Sequence, residues 1–112
     1  TGGSTSMMDG YDRLRHAGAI ARETLKLAAA DAFGIAASNL KTMNGRVYQP
    51  DGNSISYSDL APAAAKLNPP LVELRPKSEW KYVGKTMPRV DMMAKATGTA
   101  EFGIDVRLEG MK

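Results

Sequence analysis

Between residues 11 and 33, apolar side chains recur at three- and four-residue steps: Leu14, Ala17, Gly18, Ala21, Leu25, Ala28, Ala29 and Ala32. That period belongs to a helix with one apolar face. Arg13, Arg22, Glu23, Lys26 and Asp31 fall largely off the stripe. Asp9 or Ser6 is placed to cap its start, and their spacing resembles a capping box with Asp in place of Glu. Gly34 is a natural stop, because glycine tolerates the left-handed conformation that ends many helices. The stripe is mostly alanine with Gly18 at its middle. Such a face admits another backbone closely, so tight packing against a sheet or a second helix is expected.

After Gly34 the period changes. Leu40 and Thr42, then Val47 and Tyr48, flank Asn44-Gly45, the dipeptide of a type I′ hairpin turn. A second turn is expected at Pro50-Asp51-Gly52-Asn53, followed by strand-like alternation through Ile55 and Tyr57. Ser58 or Asp59 then starts a short helix through Leu67, stopped by Asn68-Pro69-Pro70. Residues 68–90 hold four prolines and the only tryptophan, Trp80, and read as an extended connector lying on another surface. Residues 91–99 read as one helical turn or a loop, broken at Gly98. Residues 100–108 alternate as a strand, with Phe102, Ile104, Val106 and Leu108 on one face. The expected fold class is α+β: a long N-terminal helix, a small antiparallel hairpin or meander, a short helix, an extended connector and a C-terminal strand.

The chain has 112 residues, which is room for one small domain. It has no cysteine, which removes disulfides, thiolate nucleophiles, iron–sulfur ligation and cysteine zinc sites within it. A single histidine, His16, removes paired-histidine metal motifs and leaves no Ser-His-Asp set with a placed partner. No apolar run approaches the roughly 20 residues of a membrane span. The net charge of +3 lies entirely in residues 75–112, since residues 1–74 carry seven basic and seven acidic residues.

Three places could carry chemistry. Gly2 and Gly3, followed by Ser4, Thr5 and Ser6, directly precede the long helix. Small side chains, hydroxyl donors and a helix N-terminus together make a phosphate cradle; an ordinary flexible terminus has the same composition. Arg75, Lys77, Lys81, Lys85 and Arg89 interleave with Trp80 and Tyr82. That pattern suits either a weak single-stranded nucleic-acid binder or a solvated connector whose aromatics dock on a neighbour. His16 reads as an exposed helix histidine, and Met7-Met8 and Met92-Met93 as apolar packing groups.

Two segments together resemble one family. Residues 1–25, TGGSTSMMDGYDRLRHAGAIARETL, are similar to the molybdenum-binding large subunits of the xanthine dehydrogenase and aldehyde oxidase family. The closer similarity is to its branch of isoquinoline 1-oxidoreductase beta subunits. There a GGSTS-type segment precedes an alanine-rich helix, an "L…dG.V" hairpin and an "SY.dL" helix. Leu40, Asn44-Gly45-Arg46-Val47 and Ser56-Tyr57-Ser58-Asp59-Leu60 follow here in that order. Residues 82–111, YVGKTMPRVDMMAKATGTAEFGIDVRLEGM, resemble the family's entry into its a/b hammerhead domain. Lys85, Pro88, Arg89, Asp91, Lys95, Gly98, Phe102, Asp105 and Gly110-Met111 fall at matching positions.

The resemblance implies an internal piece of a larger enzyme, an expectation in keeping with the non-methionine start. Residues 1–68 would end a molybdopterin-binding section, 69–90 would be an extended connector, and 91–112 would begin the hammerhead section. The parent enzyme would hydroxylate N-heteroaromatic rings or oxidise aldehydes. Its cofactor would be molybdopterin, in the cytosine dinucleotide form, and none is expected on the isolated fragment. Gly3, Ser4, Thr5 and Ser6 carry over as the cofactor-phosphate contact; no catalytic residue or metal ligand does. Expected partners are the rest of the large subunit and an iron–sulfur subunit with 2Fe–2S clusters, without nucleic acid or a membrane span. Bacterial cytoplasm and periplasm both stay open. The competing reading is a small non-enzymatic interaction module, with weak nucleic-acid binding through Trp80.

Overall fold

A computed structural model describes residues 2, 3 and 5–111. It divides into two compact units, Thr1–Arg75 and Pro76–Lys112. The class is α+β, as the periodicities require.

In the first unit, helix α1 runs over Ser6–Phe33, 28 residues, or about 42 Å at the usual rise. It begins earlier than the apolar stripe does. Thr5 occupies the N-cap position in a helical conformation and makes no side-chain cap hydrogen bond. The expected capping box is therefore absent: Ser6 is the first helical residue and Asp9 sits in the first turn. The stop is as expected, with Gly34 at φ 70° donating its N–H to the Ala30 carbonyl at 2.8 Å.

A 3₁₀ turn at Ala37–Asn39 leads into a three-stranded antiparallel sheet, β1 (Lys41–Met43), β2 (Arg46–Tyr48) and β3 (Ser54–Ser56), in that spatial order. Asn44 and Gly45 both have positive φ, 48° and 73°, as a type I′ turn demands. The register pairs Lys41 with Tyr48, Thr42 with Val47 and Met43 with Arg46. The second turn closes where Gln49 N–H donates to the Asn53 carbonyl and Gly52 N–H donates to that of Gln49, both at 3.0 Å.

Helix α2 spans Tyr57–Ala64. Its cap is Ser56, two or three residues before the expected Ser58 or Asp59. The Ser56 hydroxyl accepts the Asp59 N–H at 3.1 Å and donates to the Asp59 carboxylate at 2.5 Å. The first of these is the N-cap bond that favours Ser at a helix start; the second ties the two side chains together. Turn hydrogen bonds continue as far as the Leu67 N–H.

The core of this unit is small: Ala28, Ala29, Leu40, Val47, Leu60 and Ala64, with Leu25, Phe33, Ile35 and Ile55 packed partly against it. Ala28 and Ala29 bring α1 against α2 and the sheet, so the alanine face does admit close neighbours. Only the C-terminal part of the stripe behaves this way. Ala17, Gly18, Ala21 and Ala32 are exposed, and Leu14 is 73% exposed. Residues 71–75 run alongside as an irregular segment with Leu71 out and Val72 and Leu74 half-buried. Arg75 pins it by donating to the Thr42 hydroxyl at 3.2 Å, while Arg15 donates to the Arg75 carbonyl at 3.5 Å.

The second unit contains a 3₁₀ turn at Lys77–Glu79 and helix α3, Met92–Ala96, followed by Gly98 at φ 72°. The helical turn expected in residues 91–99 is thus present. The C-terminal strand is not. Residues 103–105 form a 3₁₀ turn, and strand structure among the described residues is confined to 41–56. Alternation supplies one apolar face, but a strand also needs a partner backbone for its N–H and C=O groups. The Asp105 side chain offers a local alternative by accepting the Phe102 N–H at 2.9 Å, and the Asp105 N–H returns to the Phe102 carbonyl at 2.8 Å.

Candidate functional site

The segment before α1 combines three physical features. Gly2 and Gly3 are exposed, and Gly3 has φ 63°, a conformation that favours glycine. The first intrahelical hydrogen bond runs from the Asp9 N–H to the Thr5 carbonyl at 2.9 Å. The N-cap residue Thr5 makes no side-chain cap hydrogen bond, so among the described residues the N–H groups of Ser6, Met7 and Met8 precede the helical ladder without a side-chain cap. The partial positive charge of a long helix is concentrated on those groups.

The expected contact residues are distributed unevenly around this point. Ser6 is exposed at the first helical position, and Gly3 stands in the turn before it. Thr5 is half-buried, and its hydroxyl donates to the Gly2 carbonyl at 3.3 Å, which closes the turn and commits its proton. Ser4 lies outside the described residues. Asp9, exposed in the first turn, is the negative charge nearest in sequence to the helix start. It opposes a bound anion there.

The basic third of the chain is arranged differently from an open nucleic-acid face. Arg75 belongs to the first unit and is held against Thr42. In the second unit Lys77 sits over the Trp80 ring, 5.9 Å from its centroid, and Trp80 is half-buried. Arg89 and Lys95 both approach the Asp91 carboxylate, at 3.8 and 2.5 Å. One face of the tryptophan and three cations, Lys77, Arg89 and Lys95, are therefore engaged within the unit. His16 is exposed on α1 with Nδ1 3.0 Å from the Asp12 carbonyl. Among the described residues no group of three or more His, Cys, Asp or Glu could hold a metal ion. No helix of the described residues is long and apolar enough to cross a membrane.

Two features escaped the sequence reading. Glu23 is gripped by Arg22 at 2.8 Å and Lys26 at 2.9 Å, all three side chains being mostly covered. Burial raises the Glu23 pKa, but hydrogen bonds from Lys26 and Arg22, with their charges, outweigh it and hold the carboxyl below its usual 4.5. The i,i+3 spacing of Glu23 and Lys26 was the available signal. The other is an open cleft of about 460 Å³ lined by Ser38, Asn39, Lys41, Tyr48, Gln49 and Pro50. No motif announces it, because it forms where two strands and two turns meet.

No protein-family model matches the chain. Two curated proteins are similar to it over most of its length. Membrane-bound aldehyde dehydrogenase (pyrroloquinoline-quinone) of Gluconacetobacter polyoxogenes is 31% identical over 99% of this chain. A nicotinate dehydrogenase subunit of Pseudomonas putida is 32% identical over 88% of it. The chain spans 15% of the first protein's length and 8% of the second's. Both relatives are dehydrogenases by name, and the second is named as one subunit of its enzyme.

Proposed function

We propose that this chain is part of the large subunit of a molybdopterin-dependent oxidoreductase, where it contributes a phosphate contact and a connection between two sections. Similarity to two dehydrogenases along nearly the whole chain supports the oxidoreductase class. The observation that carries the local role is the uncapped start of a 28-residue helix directly behind Gly2-Gly3. A phosphate group fits there: the glycines leave room, and the first-turn N–H groups supply donors. Gly3, Ser4, Thr5 and Ser6 form the proposed contact, with the backbone of Met7 and Met8 behind them.

When bound, the cofactor supplies a two-electron acceptor for an N-heteroaromatic or aldehyde substrate in the manner of the isoquinoline 1-oxidoreductase branch. This chain's own part is to hold the cofactor's phosphate end, in the cytosine dinucleotide form. The same reading gives residues 1–68 to the end of a cofactor-binding section, 69–90 to the connector and 91–112 to the start of a hammerhead section. The remainder of the large subunit and an iron–sulfur subunit complete the enzyme.

One relative is named for pyrroloquinoline quinone, a carboxylate-bearing quinone without phosphate, so the cofactor is the point to test. The native protein carrying this sequence is purified and analysed for molybdenum, phosphate-containing pterin and quinone. Molybdenum with a pterin dinucleotide is the expected result; quinone without molybdenum overturns the reading. The local role is tested with Asp9→Asn, which removes the opposing charge. It should tighten binding of cytidine diphosphate to the 112-residue chain by about twofold, the scale of an exposed charge near a helix end. Amide NMR shifts at Gly3 and residues 5–8 report the binding, and their absence overturns the phosphate contact.

A further inference from the structure

We propose that the cleft beside the first hairpin is a second ligand site, which takes a carboxylate carried on a flat apolar ring. It stands apart from the α1 N-terminus and does not depend on the function proposed above.

The cleft's volume of about 460 Å³ is that of a small-ligand site. Its wall has two chemistries. Tyr48 presents a flat aromatic ring and Pro50 an apolar one, while Lys41, Ser38 and Asn39 carry hydrogen-bond donors. None of the described residues that line it is a carboxylate. Lys41 has no ion-pair partner among the described residues. The acid nearest in sequence, Asp51, is committed elsewhere. One oxygen accepts the Asn53 N–H at 2.9 Å, and the other accepts Gln49 Nε2 and Asn53 Nδ2, both at 2.8 Å.

The framework behind these side chains is fixed. Lys41 and Tyr48 are register partners, so both project from one face of the hairpin about 5 Å apart at Cβ. Gln49 is held through both its backbone N–H and its carbonyl by the following turn. Asn39 is held at the other side by its N–H bond to the Ala36 carbonyl at 3.0 Å. A carboxylate paired with the Lys41 ammonium and hydrogen-bonded by Ser38 and Asn39 would leave its ring against Tyr48 and Pro50. The pair is charge-assisted. It is also exposed, which keeps the affinity modest and salt-sensitive.

The test is an amide-resolved NMR titration of the 112-residue chain at low ionic strength, with sodium benzoate and with neutral benzamide, on the wild type and Lys41→Gln. Benzoate should give saturable shifts confined to residues 38–50. Lys41→Gln should weaken benzoate about fivefold, the upper range for an exposed ion pair, and leave benzamide unchanged. Unaltered amide shifts at Val47 and Leu60 show that the variant keeps its fold. The proposal is overturned if benzoate shows no saturable binding in the cleft, or if Lys41→Gln changes benzoate and benzamide equally.

Discussion

At the residue scale, single side chains do several separable jobs. Ser56 uses one hydroxyl to accept the Asp59 N–H and to donate to the Asp59 carboxylate. Ser56→Ala should cost about 1 kcal/mol, the usual value of an N-cap, read as a lower urea midpoint with unchanged slope. Glu23 makes a pH-dependent contribution. Its folded pKa is depressed by Lys26 and Arg22 against the opposing effect of burial. Its stabilisation is therefore fully present above the ordinary carboxylate value and is lost as pH falls through the depressed one. Urea midpoints of the wild type and Glu23→Gln should converge as pH falls below the usual 4.5. A constant gap between the two profiles would show that the ion pairs are not what Glu23 contributes. Nothing local marks Asp9 as anything other than a cap, yet the helix starts three residues earlier and leaves it in the first turn.

At the element scale, the hairpin and α2 were legible because their instructions are contiguous. Asn44-Gly45 permits two successive positive φ angles that β-branched or bulky residues would resist, and the two-residue loop then sets the register. The Gly45 carbonyl also receives the Tyr57 N–H at 2.8 Å, which ties the turn to the start of α2. Gly45→Ala should destabilise the unit by about 1 kcal/mol through left-handed strain; space is not the problem, since nothing lies within 4 Å of an added Cβ. Thermal unfolding measures this, and Gly18→Ala, with the same added methyl in a helix, should go the other way. The segment 100–108 misled for the opposite reason. Its alternation is real, but pairing is supplied by another backbone, and Asp105 closes a local turn instead.

At the scale of the whole molecule, the two units differ in what they bury. The first has a continuous core around Val47, Ala29 and Leu60. The second has none of its described side chains fully buried, and Ile104 is 82% and Leu108 70% exposed. Hydrogen exchange should therefore protect amides of residues 28–30 and of β2, while those of 106–111 exchange near the unstructured rate. Slow exchange in 106–111 would show that this segment is covered in solution.

The sequence by itself determined the class, the long helix with its stop at Gly34, both turns and the short helix. Each rests on backbone conformations and hydrogen bonds within a few residues. It also placed Gly3 and Ser6 beside a helix start. Tertiary structure alone decided which end of the apolar stripe is covered, that Arg75 locks onto Thr42, and that Lys41 and Tyr48 share a cleft. Those outcomes depend on contacts between residues far apart in the chain, and an apolar period is the same whether or not a partner arrives to cover it.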